Sequence, residues 1–274
     1  MKKNFFYLSV FICLLFVSCV SSLDSNGRLL NPDGIETSYC SQKELSLRES
    51  GYYFFASPDE WRLQYPSGSE EGGMLDDWIK ADFKNKYLSI YKNADGEKFL
   101  RFSLDASDKG KSKNGSSVRA ELRHNIEWTL ADEKSMEYTF YMTSTDFSSA
   151  KFTVGQFLQH CDLKDSPLCR IELENGGIKA VVTNYEKDGK TKADGKSHRY
   201  DLGSIAQFQK VKIKISVSNN VLRLYRDGVL YASHNFHRNV RNDYKNYFKL
   251  GIYYQNTDSP KIFSEVFVTS LKVQ

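Results

Sequence analysis

The sequence has few of the residues that mark several common protein classes. Only 5 of its 274 residues are proline and no helical repeat occurs, which excludes a Pro-rich linker protein and a helical bundle. The formal net charge is only +4, and Lys2 and Lys3 supply two of those charges at the start of the chain. A strongly basic nucleic-acid binder is therefore excluded. Aromatic residues are plentiful, with 17 tyrosines and 18 phenylalanines, and they favour β-strands.

The apolar run at the N-terminus is too short to cross a membrane as a helix. It extends over 13 residues from Phe5 to Val17, whereas a spanning helix needs about 20. Because it follows two lysines, it predicts a signal peptide. Ser18 and Cys19 after it resemble the lipobox of bacterial lipoproteins, which predicts lipidation of Cys19, export across the inner membrane and a membrane-anchored protein. The alternative is ordinary secretion with cleavage near Ser21.

Cysteine is also scarce, with 5 residues in the chain. Cys13 lies in the leader and Cys19 is the predicted lipidation site, which leaves Cys40, Cys161 and Cys169 in an oxidising compartment, where thiols tend to pair. Two alternatives stay open: Cys161 and Cys169 form a disulfide across the loop between them, or all three are free. No Cys-x-x-Cys or His-x-His spacing accompanies them, which argues against a zinc site.

The rest of the chain predicts a tether followed by one large domain. Residues 1–18 are the leader, residues 19–50 are polar with little apolar periodicity and suit a tether, and residues 51–274 form the domain. Within it, short alternating segments are separated by turn signals, as in the run from Val211 to Tyr231, which predicts a β-meander. We therefore expect an all-β fold, a two-sheet jelly roll with a concave groove.

Two predicted strands carry charged and aromatic residues on one face. In residues 118–126 and 247–255, apolar positions alternate with polar ones, so each strand has a core face and a polar face. Such a face is often only the solvated side of a sheet, but two neighbouring ones could also line a groove for an acidic, hydroxyl-rich ligand. The polar-face residues are Arg119, Glu121, Arg123, Tyr247, Lys249, Tyr253 and Gln255.

These two strands resemble motifs of polysaccharide lyase family 7, the alginate lyases. Residues 119–123 are similar to its Arg-(Ser/Thr)-Glu-Leu-Arg motif, and residues 247–255 are similar to Tyr-Phe-Lys-Ala-Gly-x-Tyr-x-Gln, departing only at Leu250. Residues 61–66 resemble the opening of the same domain. The resemblance implies a jelly roll that cleaves alginate or a related 4-linked polyuronate by β-elimination, without a metal or cofactor. The alternative is a carbohydrate-binding protein on the same fold that lacks catalysis.

A third family motif, Gln-(Ile/Val)-His, is imperfect in this chain. Gln156 matches, but Leu158 stands where the histidine is expected, and His160 follows two residues later. On a regular strand, Gln156 and His160 would lie about 13 Å apart instead of about 7 Å. Either a bulge near Leu158 closes that gap or Gln159 takes the amide role. His160 could also be purely structural.

The resemblance and the chemistry of a uronate together imply a role for each residue. Removal of the C5 proton places negative charge beside the sugar carboxylate, so Arg119, with Gln156 or Gln159, would bind that carboxylate and stabilise the enolate. His160 or Tyr253 would accept the proton, and Tyr253 would donate one to the leaving oxygen.

The remaining polar-face residues are assigned to binding. Arg123, Tyr247, Lys249 and Gln255 would hold neighbouring sugars, and Glu121 would orient the arginines as their ion-pair partner. We expect a monomer whose partners are an acidic polysaccharide and, through the lipid anchor, a membrane, and we expect no nucleic-acid partner. The other histidines have weaker claims and are interpreted as structural or solvent-exposed: His124, His198, His234 and His237.

Overall fold

The structure is a computed structural model in which strands dominate. It describes residues 43–69, 72–83, 85–93, 96–108, 110, 117–236, 243–255 and 262–274, together with the short strands Ser22–Leu23 and Leu29–Leu30. The chain divides into two compact units, Met1–Lys43 with Lys92–Glu97 and Glu44–Tyr91 with Lys98–Gln274. In the first unit the two short strands pair antiparallel; all that follows concerns the second.

The regular secondary structure consists almost entirely of strands. In chain order they are β1 (Ser22–Leu23), β2 (Leu29–Leu30), β3 (Lys43–Leu45), β4 (Trp61–Pro66), β5 (Met74–Trp78), β6 (Leu88–Lys92), β7 (Lys98–Asp105), β8 (Val118–His124), β9 (Lys134–Ser144), β10 (Lys151–Gln159), β11 (Ser166–Glu174), β12 (Gly177–Val182), β13 (His198–Ser204), β14 (Val211–Ser218), β15 (Val221–Arg226), β16 (Val229–Asn235), β17 (Asn246–Tyr254) and β18 (Phe263–Val273). One 3₁₀ turn, Pro58–Glu60, precedes β4.

Two antiparallel sheets of eight strands form a jelly-roll sandwich, which confirms the predicted fold class. The front sheet has the order β13-β12-β11-β10-β17-β8-β4-β5, and the back sheet has the order β16-β15-β14-β9-β18-β7-β6-β3. Their inner faces bury one apolar core, to which Leu122 and Leu250 of the front sheet and Phe140 and Ile215 of the back sheet contribute. The outer face of the front sheet is therefore free to carry polar side chains.

The predicted β-meander is confirmed as β14, β15 and β16, paired in that order. Its turns have the chemistry that tight hairpins need, because the two central residues of each turn have positive φ. The angles are 50° at Asn219 and 64° at Asn220 in the first turn, and 51° at Asp227 and 85° at Gly228 in the second. Asn, Asp and Gly tolerate this conformation best.

The domain begins earlier than the sequence predicts. The predicted leader and most of the predicted tether lie outside the described residues, but Leu45 and Leu47 belong to the apolar core and are 7% and 1% exposed. The last residues assigned to the tether are therefore part of the sandwich, because a short apolar pattern carries too little periodicity to be recognised. In the described part of the chain, no helix is long and apolar enough to cross a membrane.

Candidate active site

The centre of the front sheet is formed by β10, β17 and β8, side by side. Val118, Ala120 and Leu122 of β8 point into the core and are fully buried, so Arg119 and Arg123 lie on the outer face. The antiparallel register places Tyr253 of β17 opposite Arg119. The two strands that the sequence singled out are therefore direct neighbours.

Each arginine of β8 stacks on a tyrosine of β17. The guanidinium carbon of Arg119 lies 4.2 Å from the ring centroid of Tyr253, and that of Arg123 lies 4.0 Å from the ring centroid of Tyr247. A cation at this distance from an aromatic face is attracted by the ring quadrupole. We call the first pair the Tyr253 stack and the second the Tyr247 stack.

Glu121 lies between the two arginines and is completely buried. Its carboxylate accepts a hydrogen bond of 2.6 Å from the side-chain amide of Gln156, and it lies 3.4 Å from Arg119 and 3.5 Å from the ammonium of Lys249. Lys249 also donates to the side-chain oxygen of Gln64. A buried carboxylate with this many partners fixes the positions of its donors. Glu121 is thus an ion-pair partner of Arg119, one of the two arginines it was predicted to orient, and does not itself reach the surface.

Lys249 is the buried cation of the site, 2% exposed. Burial lowers its pKa to about 8, and the positive charges of Arg119 and Arg123 act in the same direction, against the opposing effect of Glu121. The ammonium therefore loses its proton in a pH range that enzymes commonly meet.

Each of the two arginines has one N–H group without a hydrogen-bond partner among the described residues. The Nε atoms of Arg119 and Arg123 are buried and have no hydrogen-bond partner among the described residues. A buried donor without an acceptor is costly. The side chains of Arg119 and Arg123 remain 18% and 15% exposed, so the accessible part of each guanidinium can receive a carboxylate or hydroxyl oxygen.

Gly251 permits the close contact between β17 and β8. Its φ is 150°, and a Cβ at this position would lie 2.1 Å from the carbonyl oxygen of Ala120 and 2.8 Å from the Cα of Glu121. Since both neighbours are backbone atoms, only glycine fits. The glycine of the family motif is thus explained by the packing of the strand that carries Tyr253.

The third strand, β10, contributes Gln156 but not Gln159. Gln156 lies opposite Lys249 and faces outward, whereas Gln159 lies opposite Asn246, on the core side, and is 1% exposed. An irregularity near Leu158 does occur in the pairing with β11, between Phe157 and Leu158, but the extra residue there belongs to β11. Pairing with β17 is regular from Gly155 to Gln159, so successive side chains of β10 alternate between the two faces here. Against the prediction, Gln159 does not reach the outer face, and Leu158 occupies the outward position instead.

His160 follows the end of β10 and lies beside the Tyr247 stack. Its ring nitrogens are 2.8 Å from Asp165 and 2.8 Å from Glu127, and its ring centroid is 5.0 Å from that of Tyr247. Burial lowers the pKa of His160, but the hydrogen bonds to the two carboxylates outweigh it and raise the pKa above its usual value. Tyr253 lies six residues from Tyr247 along β17, about 20 Å away in an extended strand. The structure therefore does not bring His160 and Tyr253 together.

The hydroxyls of the two stacked tyrosines differ. That of Tyr247 donates a 2.8 Å hydrogen bond to Asp165, and burial together with this carboxylate raises the pKa of Tyr247 far above its usual value. Tyr253 is half-buried, and no described residue accepts a hydrogen bond from its hydroxyl. Tyr253 is thus available for proton transfer.

Gln255 has a supporting role at the end of the site beyond Tyr253. Its amide donates to the hydroxyl of Thr153 at 3.1 Å and to the carboxylate of Glu172 at 3.0 Å. Glu172 in turn pairs with Arg170 at 3.1 Å. These polar side chains continue the outer face across β10 and β11.

Four functional neighbours escaped the sequence analysis: Arg62, Gln64, Glu127 and Asp165. Arg62 and Gln64 alternate with the core residues Trp61 and Leu63 of β4, and this alternation could have revealed them. Glu127 and Asp165 belong to loops, where no periodicity indicates which way a side chain points.

The described cysteines and histidines outside the site have structural surroundings. Cys161 and Cys169 are free thiols in this structure, so the disulfide alternative is not realised, and Cys169 is buried in the core. Within the described ranges, no group of histidine, cysteine and carboxylate side chains could hold a metal ion. His124 packs on Trp61 with ring centroids 4.6 Å apart, and burial lowers its pKa, as a structural histidine requires. His237 lies outside the described residues.

A family comparison matches most of the chain. The profile of the alginate lyase family matches residues 56–274. No curated protein sequence matches the chain at a significant level.

Solved structures share the fold at low sequence identity. Alginate lyase A1-II′, a member of polysaccharide lyase family 7, is 22% identical with a TM-score of 0.65, over 82% of this chain and 97% of that one. An alginate lyase from Corynebacterium sp. is 18% identical with a TM-score of 0.62, over 84% and 98% of the two chains. One from Pseudomonas aeruginosa is 20% identical with a TM-score of 0.62, over 80% and 99%. At these identities the likeness establishes the jelly-roll fold.

Proposed function

Since the chain belongs to the alginate lyase family and is a polysaccharide lyase, we propose that its active site is the outer face of the front sheet around the Tyr253 stack. The observation that carries this assignment is the stack itself. A tyrosine whose hydroxyl has no acceptor among the described residues lies against an arginine whose side chain is 18% exposed. Proton transfer and charge stabilisation, the two needs of β-elimination, thus meet at one point.

The substrate is alginate or a related 4-linked polyuronate. In its cleavage the C5–H bond and the C4–O4 bond break, a C4–C5 double bond forms, and O4 leaves with a proton. The developing enolate puts a second negative charge beside the carboxylate, so preorganised donors must stabilise it. Arg119 supplies the guanidinium, and Lys249 adds a cation from the neighbouring position. Gln156, whose side-chain amide donates a hydrogen bond to Glu121, supplies the amide group that acts together with these two cations.

Tyr253 performs both proton transfers in this scheme. Its oxygen accepts the C5 proton and returns a proton to O4, so the net proton count of the enzyme is unchanged after one turnover. The tyrosine oxygen carries the negative charge before it takes the C5 proton and again after it has given that proton to O4, and the guanidinium of Arg119 over the ring stabilises this charge. His160 lies too far along the sheet to act on the same sugar, so it serves the binding of a neighbouring one.

An assay on purified protein tests the function directly. We expect turnover of at least one member of a panel of polymannuronate, polyguluronate and polyglucuronate, seen as ultraviolet absorbance of the unsaturated product. The matched control is Tyr253→Phe, which keeps the ring but removes the proton-transferring hydroxyl. Binding of a polyuronate without cleavage of any member would instead support the non-catalytic carbohydrate-binding alternative.

We further propose that the protein is exported and anchored by lipid on Cys19, acting as a monomer. The apolar run after two lysines and the Ser18-Cys19 pair support this proposal. Expressed in full length in a bacterium, the protein should fractionate with membranes, and Cys19→Ala should move it to the soluble fraction or block its processing. Cys13→Ala is the control and should change nothing; a soluble wild-type protein would contradict the anchor.

A further inference from the structure

One of the three tryptophans is exposed at the edge of the sheet that carries the active site. Trp61 and Trp128 are core residues, 5% and 2% exposed, whereas Trp78 is 47% exposed. Trp78 is the last residue of β5, the edge strand of the front sheet. A single exposed aromatic side chain is ordinary on a protein surface, so the case for Trp78 depends on the residues that lie beside it.

The strand register connects Trp78 to the active site in a straight line. Trp78 lies opposite Arg62, Arg62 lies opposite Arg123, and Arg123 lies opposite Lys249. Directly paired residues point to the same face of a sheet, so all four lie on the outer face. With neighbouring strands about 4.8 Å apart, the line from Lys249 to Trp78 is about 14 Å long.

Arg62 lies between Trp78 and Arg123, and its guanidinium is fixed by several contacts. Its Nε donates a 2.9 Å hydrogen bond to Asn125, its Nη1 lies 3.5 Å from Asp76, and its guanidinium carbon lies 5.3 Å from the Trp78 ring centroid. No described residue bonds to its Nη2. The guanidinium is therefore fixed and still has N–H groups for a further carboxylate.

A uronate sugar has the two chemical features that this pair recognises. Its C–H bonds form an apolar ring face that can lie on an indole, and its carboxylate can bind a guanidinium. The polymer repeats both features in every unit, and the spacing between strands is close to the length of one sugar along a 4-linked chain. Lys249, Arg123 and Arg62 provide one cation per strand along the same line.

We propose that Trp78 and Arg62 form a distal platform that binds a uronate unit of the polymer several sugars away from the bond that is cleaved. The inference rests on the proposed function, because it assumes a polyuronate in the active site. The platform contacts no reacting atom, so it acts on binding alone.

The test compares long and short substrates. Trp78→Ala should lower kcat/KM on polymer and hexasaccharide by roughly 5- to 10-fold through KM, because a lost stacking contact is worth about 1 kcal/mol. The trisaccharide, which cannot reach β5 from Tyr253, should be cleaved at the wild-type rate. Trp78→Phe should keep most of the wild-type value on polymer, since it keeps an aromatic face.

Tyr231→Ala is the matched control. Tyr231 is 48% exposed and lies on β16, the edge strand of the back sheet, so it has the exposure of Trp78 without its position. Unchanged kcat/KM of Trp78→Ala on polymer, an equal loss on the trisaccharide, or an equal loss in Tyr231→Ala would each overturn the platform. Absence of turnover in the wild-type protein on the whole panel would overturn the proposed function instead.

Discussion

The Tyr253 stack and the Tyr247 stack are built from the same two residue types on the same two strands. Their arginine-to-ring distances are nearly equal, at 4.2 and 4.0 Å. The difference lies in the hydroxyl groups, because Tyr247 is bonded to Asp165 whereas Tyr253 has no described acceptor. Stacking on arginine is therefore common to both tyrosines, and the surroundings of the oxygen are what separate the proposed catalytic tyrosine from the proposed binding one.

The carboxylates near the two stacks explain this division. Around the Tyr247 stack, Asp165 and Glu127 bind the hydroxyl, His160 and Arg123 at 2.8 to 2.9 Å. The tyrosine hydroxyl, the imidazole and one terminal nitrogen of Arg123 there already have carboxylate partners. Around the Tyr253 stack, the only carboxylate in contact with the arginine among the described residues is the buried Glu121, so the tyrosine oxygen stays available to substrate.

Removing the hydroxyl of each tyrosine in turn should give the largest difference in activity between the two stacks. Tyr253→Phe should lower kcat by on the order of 100-fold or more with little change in KM, because the hydroxyl acts only in the transition state. Tyr247→Phe should leave kcat within about threefold of wild type. Steady-state kinetics on the preferred polyuronate measure both.

Equal losses of kcat in Tyr253→Phe and Tyr247→Phe would contradict the difference in role between the two tyrosines. Wild-type turnover in Tyr253→Phe would show that another group moves the proton. Folding of each variant is checked by its thermal transition, since neither change removes buried apolar area.

Lys249 lies on β17 between the two stacks, and its titration should show which of them needs its charge. Its pKa of about 8 predicts that kcat/KM falls by roughly fivefold between pH 7 and pH 9.5 as the ammonium that binds substrate carboxylate is lost. Lys249→Arg stays charged and should abolish this fall. A fall of equal size in Lys249→Arg would assign it to another group.

The lowered pKa of Lys249 also affects the stability of the folded protein. The pKa of Lys249 in the folded protein is below that of the unfolded chain, about 10.4. The unfolded chain therefore binds more protons between pH 8 and about pH 10.4, and the free energy of unfolding rises with pH in that window. This contribution should be absent in Lys249→Met.

The smallest effect is expected at His160. His160→Gln should change kcat/KM by about threefold or less, since the ring lies beside the Tyr247 stack and far from Tyr253. Because the folded pKa of His160 is raised, its contribution to stability is fully present below about pH 6.5 and is lost as the pH rises through the folded pKa. The melting temperature of His160→Gln should therefore lie about 2 °C below wild type at pH 5.5 and approach it at pH 8.5. A large loss of kcat in His160→Gln would contradict the placement of His160 far from Tyr253.

Sequence alone predicts the parts of the site that follow the period of a strand. Alternation along β8 and β17 predicts that Arg119, Arg123, Lys249 and Tyr253 share a face, and the register confirms it. Alternation cannot place His160, because the strand ends at Gln159 and the histidine takes its direction from loop carboxylates.

The same limit applies to partners that come from other strands. Glu121 was predicted to pair with both arginines, but only Arg119 pairs with it, whereas Arg123 pairs with Glu127 at 2.9 Å. Which donors reach Glu121 depends on strand order, which brings Gln156 and Lys249 beside it. Strand order follows from the packing of the whole sandwich and not from any local pattern.

Glu121 also determines how much the protein must rearrange when it meets its substrate. Its buried carboxylate already holds Arg119, Lys249 and Gln156 in one arrangement, so these side chains have little rotamer freedom left to lose. Ordering a long side chain during binding costs about 0.5–1.5 kcal/mol, and here that cost is met when the protein folds. The side chains around Glu121 should therefore occupy the same positions with and without an oligosaccharide.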